Sequence, residues 1–168
     1  MAYIWEILAA TGTILVFWYG YYGKKSYLPA YLAGMAYGLF WEIATEPLFN
    51  YTGAFNVFIW KDIPLAIIIG WGASIAGFQI LSDFVHSKYK IKFNTLKSLA
   101  ADALVAGLFG FAMEYLGSHN LVMWTYPATS LPLIAGMPVI WIIGWVMSGL
   151  LNLSLARRLD AALNISKI

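Results

Sequence analysis

The sequence predicts an all-α integral membrane protein of about five transmembrane helices, and three observations carry that prediction. Hydrophobic residues occupy 61% of 168 positions and charged residues 11%, whereas a soluble domain sits near roughly 45–50% apolar and about 25% charged. Apolar runs of about the 20 residues that a spanning helix needs recur along the whole chain. Eight Trp and eleven Tyr suit the aromatic anchoring found at bilayer interfaces.

Residues 1–168 read as one polytopic domain. The first run, Tyr3 to Tyr22, has no cationic stretch before it and reads as a retained helix rather than a signal peptide. Gly23-Lys24-Lys25-Ser26 ends it. The second run, Leu28 to Phe49, carries Glu42 and Glu46 near its end, and a breaker-rich connector with Gly53 follows from Asn50 to Asp62. Pro64 opens the third run at a favoured first-turn position, and that run continues to about His86. A polar, basic segment, 87–94, separates it from the fourth, Leu96 to Leu116. Gly117 to Ser130 forms a second connector. The fifth run, Leu131 to Ala156, stops at Arg157-Arg158, and 157–168 reads as a short tail.

Charge placement orients these runs. Nine of the ten Lys and Arg fall on one side, with Lys61 opposite. The positive-inside rule makes that side cytoplasmic, so the expectation is a multi-pass cell-membrane protein with its N-terminus outside and its C-terminal tail inside.

The stretch from Trp41 to Trp71 reappears in altered form from Met113 to Trp145. Each copy has a Glu, then Asn (Asn50, Asn120), a lone Trp (Trp60, Trp124), a Pro (Pro64, Pro138) and a Gly-Trp pair (Gly70-Trp71, Gly144-Trp145). Self-similarity of this kind predicts duplicated helix-connector-helix units, here 28–86 and 96–156, running parallel rather than inverted. Gly34, Gly38, Gly107 and Gly110 would let helices two and four pack on each other, because small residues at three- and four-residue spacing favour contact.

Carboxylates are the chemical signal. Glu42, Glu46 and Glu114, with Glu6 and His119, approach the outer face, and no Lys or Arg lies among the helices to neutralise them. A carboxyl within a spanning segment costs a few kcal/mol unless it is protonated, paired or solvated. Glu42 and Glu46, four apart, share a helical face. One reading makes Glu46, Glu114 or Glu42 a general acid toward an apolar substrate lined by Trp60, Trp124, Tyr126, Asn50, Asn120 and His119. A metal site from Glu42, Glu46, Glu114 and His119 is a second reading, but the Glu-x-x-His spacing of di-iron bundles is absent, so no metal is assigned. A third is a pocket of carboxylates and aromatic faces for a cationic solute. Asp83, His86 and Asp102, near the basic loop, read as interfacial.

The order Glu114, Gly117, Trp124-Thr125-Tyr126, Gly136-Met137-Pro138 and Trp145 resembles the membrane carotenoid-biosynthesis proteins, both the hydratases and the small lycopene-cyclase domains. Glu46, Gly53, Trp60, Pro64 and Trp71 carry the likeness in the first copy. The resemblance implies acid-initiated hydration or cyclisation at the end of a polyene, with a Glu as proton donor and an apolar isoprenoid as ligand. The chain departs from the cyclase domains after Pro64, where Leu65-Ala66-Ile67 replaces a Pro-x-Glu-Glu motif, and from the hydratases in being shorter.

Cysteine is absent, which excludes thiolate chemistry and disulfides. No phosphate loop, nucleotide fingerprint or basic stripe is present, so nucleic acid is not an expected partner, and the sequence leaves any cofactor unknown. The expected partners are the lipid bilayer, an isoprenoid ligand or other membrane subunits. A non-catalytic accessory subunit of a larger membrane complex therefore stays open beside the enzyme and the cation-binding component.

Overall fold

The computed structural model describes residues 3–48, 50–52, 55–127 and 131–163; Gly53, Lys167 and the end of the tail lie outside them. The chain is mostly helical, at 75%. Helix α1, Ile4–Gly23, closes on Lys24 in the left-handed conformation (φ 49°), whose N–H returns to the carbonyls of Gly20 and Tyr21. Helix α2, Leu28–Thr45, has Pro29 in its first turn and leads into a short 3₁₀ turn, Glu46–Leu48. Helix α3, Leu65–Tyr89, starts directly after Pro64 and ends at left-handed Lys90. Helix α4, Leu96–Tyr115, is capped by Thr95, whose hydroxyl accepts the Ser98 N–H at 3.2 Å. It continues as a π turn, Leu116–Asn120. Helix α5, Val139–Ser148, runs through a second π turn, Gly149–Leu153, into α6, Ser154–Leu163.

Four stretches are long and apolar enough to cross a membrane: Ile4–Gly23, Leu65–Tyr89, Leu96–Asn120 and Val139–Ala162. The last differs from expectation at both ends. It starts at Val139 rather than Leu131, because Leu133–Ile134 (β5) and Met137–Pro138 (β6) pair as a tight hairpin about the left-handed Ala135 and Gly136. It also passes through Arg157-Arg158 to Leu163, so the first part of the expected tail is helix. Phe58–Trp60 (β2) and Ile63–Pro64 (β3) make the matching hairpin about left-handed Lys61. Each hairpin ends in a proline that starts the next helix, where the missing N–H is no loss. A third short ladder joins the two connectors: Asn50–Tyr51 (β1) pairs antiparallel with Trp124–Thr125 (β4), setting Tyr51 opposite Trp124.

The small residues pack a different pair of helices from the one expected. A Cβ on Gly34 would meet Ile75 and Trp71, and one on Gly38 would overlap the Trp71 ring. Gly107 faces Val146, and a Cβ on Gly110 would overlap the Trp145 ring. Gly34 and Gly38 therefore seat α2 on α3, and Gly107 and Gly110 seat α4 on α5. The reason is volume: Gly38 and Gly110 each make room for an indole, a larger demand than close approach of two backbones. The core holds these indoles together with Ile75, Phe78, Val105 and Trp141.

Candidate functional site: two carboxyls in an indole-walled cavity

Glu42, near the end of α2, is 2% exposed, and Glu114, near the end of α4, is 5% exposed. The glycine four residues before each carboxyl admits the indole that binds it. Trp71 Nε1–H donates to Glu42 at 2.7 Å, and Trp145 Nε1–H donates to Glu114 at 3.0 Å. The remaining oxygen of each carboxyl takes a tyrosine hydroxyl: Tyr51 to Glu42 at 2.7 Å, and Tyr126 to Glu114 at 2.5 Å. Tyr126 in turn accepts the Trp124 indole N–H at 3.0 Å. The indoles of Trp71 and Trp145 stack at 4.0 Å between centroids, 20° from parallel. Two Glu-Trp-Tyr sets thus meet face to face.

Each set combines a fixed donor with a reversible one. An indole N–H can only donate, whereas a phenol hydroxyl can donate or accept. Burial and then the neighbouring carboxyls push the Tyr51 and Tyr126 phenols well above the ordinary tyrosine range, so both stay protonated. A carboxyl held by one Trp and one Tyr can exchange its own proton on the tyrosine side while the tryptophan keeps its orientation.

Between the sets lies a cavity of about 50 Å³. Both carboxyls and five indoles (Trp5, Trp71, Trp124, Trp141 and Trp145) line it, and its described lining contains no Lys or Arg. Trp5 of α1 stacks on Trp124 at 5.4 Å and closes one wall.

The residues expected from the sequence divide around this cavity. Glu42, Glu114, Trp124 and Tyr126 come together. Glu46 does not join them: it pairs with Lys61 at 3.2 Å on the surface. Trp60 is 42% exposed in β2 with the Lys61 ammonium over its ring, while Trp124 is buried, so the two are not structural counterparts. Asn50 and Asn120 are exposed. His119 is also exposed, stacked on Tyr115 at 4.7 Å and bonded to Ser118. Glu6 accepts from the Asn56 backbone and side-chain amides. Among the described residues, no three His, Asp or Glu side chains converge as metal ligands.

Sequence reasoning missed Tyr51, Trp71, Trp145, Trp141 and Trp5 as lining residues. For Trp71 and Trp145 a signal existed, since the Gly-Trp pairs align without a gap. For Trp5 there was none, because its role depends on where α1 docks.

A second polar cluster, built on Asp83, His86 and Asp102, occupies the other end of the bundle. Asp102 is fully buried and His86 nearly so. Arg157 grips Asp102 with both terminal nitrogens, donates to Ser82 at 2.8 Å, and lies over the Phe93 ring. Ser82 donates to Asp102. Lys25 reaches Asp83 at 2.5 Å. The continuation of the last helix through Arg157 supplies the charge that lets Asp102 be buried.

No protein family, curated protein or solved structure matches the chain.

Proposed function

We propose that the protein is a membrane enzyme that protonates a carbon–carbon double bond of an apolar isoprenoid, with Glu42 and Glu114 as its acid–base pair. One observation carries this reading: two buried carboxyls share one indole-walled cavity without a Lys or Arg in its lining. The reaction requires a proton donor in a water-poor site and a surface that tolerates a carbocation. The carboxyls supply the first, and the indole faces supply the second through cation–π attraction.

In the step itself, a carboxyl O–H bond breaks and a C–H bond forms at one alkene carbon, leaving the cation on the other. Hydration follows if water adds to the cation and its extra proton passes to a carboxylate. Cyclisation follows if a second double bond adds and the ring then loses a proton to a carboxylate. Tyr51 and Tyr126 accept from the carboxylic acid or donate to the carboxylate as the carboxyls change state, so the carboxylate that faces the cation keeps its hydrogen bonds.

Substrate would come from the bilayer. We read α2 as a fifth span: its 18 residues extend about 27 Å, and it lies along α3 from the Lys25–Asp83 pair to the Glu42–Trp71 bond. The same reading places the carboxyls in the outer half and the Arg157 end inside, following the basic loops. The paired Gly-Trp-Glu-Tyr sets support duplication of the two units.

A test expresses the protein in membranes loaded with lycopene and follows hydrated or cyclised products by chromatography. The wild type is expected to convert the polyene. Glu42→Gln and Glu114→Gln are each expected to abolish conversion while the protein still folds. Full activity in both variants would exclude the acid–base role.

The same cage supports a second reading, a binding site for a small cation, because carboxylates ringed by indole faces also recognise quaternary ammonium groups. Tetramethylammonium would then raise the unfolding temperature of the wild type through mass action, and Glu42→Gln would remove the shift.

A further inference from the structure

A groove of about 400 Å³ runs beside the cavity between α1, α3 and α4, and it shares Trp5, Gly70, Ser74 and Met113 with it. We infer that this groove holds the hydrocarbon tail of the isoprenoid substrate, which enters sideways from the bilayer with its reactive end between Glu42 and Glu114. The inference rests on the enzyme reading above and adds the route and the shape of the substrate.

Size comes first. A single water needs roughly 10–15 Å³ on this scale, so the 50 Å³ cavity admits about four water-sized groups. That is enough for a double bond with its substituents and too little for the rest of an isoprenoid. The remainder must lie in contiguous space, and the groove is contiguous and several times larger.

Glycine placement makes the same point independently. Several glycines of the helix contacts are filled by a neighbour: a Cβ on Gly38, Gly110 or Gly117 would strike an indole. Gly70 and Gly77 are different. Both line the groove, and a Cβ on either would meet nothing within 4 Å. These two glycines serve no helix contact, yet they keep one side of α3 bare over two turns. Gly12 of α1 meets Ala73 at 3.3 Å, which holds α1 against α3 and leaves the gap on the α4 side. On that side Met113, Leu116 and Gly117 complete a lining that is almost wholly apolar. An apolar slot that adjoins the cavity of the two carboxyls fits a linear chain with an unsaturated end. It fits a charged headgroup poorly, since no cation lines the slot.

The test uses the full-length protein in phosphatidylcholine nanodiscs, with geranylgeraniol as a linear isoprenoid probe and native mass spectrometry as the readout. The wild type is expected to retain the probe. Gly77→Phe adds a ring at a position where a Cβ would meet nothing within 4 Å, and should weaken retention by about tenfold, the effect of displacing roughly two buried methylenes. Gly70→Leu gives a second obstruction should Gly77→Phe fail to fold, with circular dichroism reporting the fold of each. The Glu42→Gln/Glu114→Gln double variant should keep the probe, because the tail does not depend on the acid. Unchanged retention in both folded glycine variants would overturn the inference. So would a wild type that keeps phosphatidylcholine or a partner protein in place of the probe. Loss of polyene conversion only in the glycine variants would leave the groove standing and the acid–base role refuted. Loss only in the Glu variants would do the reverse.

Discussion

The indole N–H groups of Trp71 and Trp145 are the least replaceable atoms of the site. Each satisfies a carboxyl oxygen that has no access to bulk water, and a hydrogen bond to such a group contributes about 1.5–3 kcal/mol when the group is charged. Trp71→Phe keeps most of the ring while deleting the donor, and it should destabilise the fold by about 2–4 kcal/mol once lost packing is added. Trp41 provides the comparison. Its Nε1 is buried with no hydrogen-bond partner among the described residues, so Trp41→Phe loses packing and relieves an unsatisfied donor. The difference between the two variants in reversible detergent unfolding isolates the Glu42 bond, and equal losses would show that the bond contributes nothing. This contrast also marks where the sequence was legible. Glu42, Glu114, Trp124 and Tyr126 were legible as site residues and do meet, whereas the recurring Gly-Trp pairs were legible as a repeat and not as partners of the carboxyls. Glu46 could not be separated from Glu42 in the same way. One turn along the helix carries it to the bundle surface, where Lys61 takes it, and only the rotation of α2 against α3 decides that.

Rotation is set at the scale of the element by glycines that look alike in the sequence but act oppositely in the fold. Gly38 and Gly110 are sockets for Trp71 and Trp145, and a methyl group added at either would overlap the indole it receives. Gly77 faces open space. Gly38→Ala and Gly110→Ala should therefore overpack the core and destabilise by about 1–3 kcal/mol or more. Gly77→Ala should be neutral or stabilising by about 0.5–1 kcal/mol, because it only removes backbone freedom from the unfolded chain. Thermal unfolding of the three variants in one detergent checks the ordering; a destabilising Gly77→Ala would mean that the groove side of α3 is covered. Small-xxx-small spacing told us that helices approach closely and was silent on which neighbour each glycine faces. The hairpins were hidden for a related reason. Leu131 to Pro138 is apolar enough to extend the last helix, but Pro132, Gly136 and Pro138 each remove a helical option, and pairing of Leu133–Ile134 with Met137–Pro138 takes up the backbone groups.

Across the whole molecule, the two ends of the bundle treat buried acid in opposite ways. Glu42 and Glu114 are met by neutral donors and keep a cavity beside them. Asp102 is met by a guanidinium, a serine hydroxyl and close packing. The first arrangement holds each carboxyl by neutral donors alone, and the second fixes charge and geometry together. Arg157 is the keystone of the second because it ties α6 to α3 through Ser82 and Asp83 and to α4 through Asp102. Removing one partner of a buried pair strands the other, at about 3–5 kcal/mol. Arg157→Leu should therefore unfold the Arg157 end of the bundle or lower the unfolding temperature steeply. Arg157→Lys should rescue little, since an ammonium cannot span both Asp102 oxygens and Ser82 at once. Adding Asp102→Asn to Arg157→Leu should recover a large part of the loss, because the stranded charge is then gone. Additive losses in the double variant would show that Asp102 and Arg157 do not act as a pair, and α6 would then be held by its apolar contacts instead.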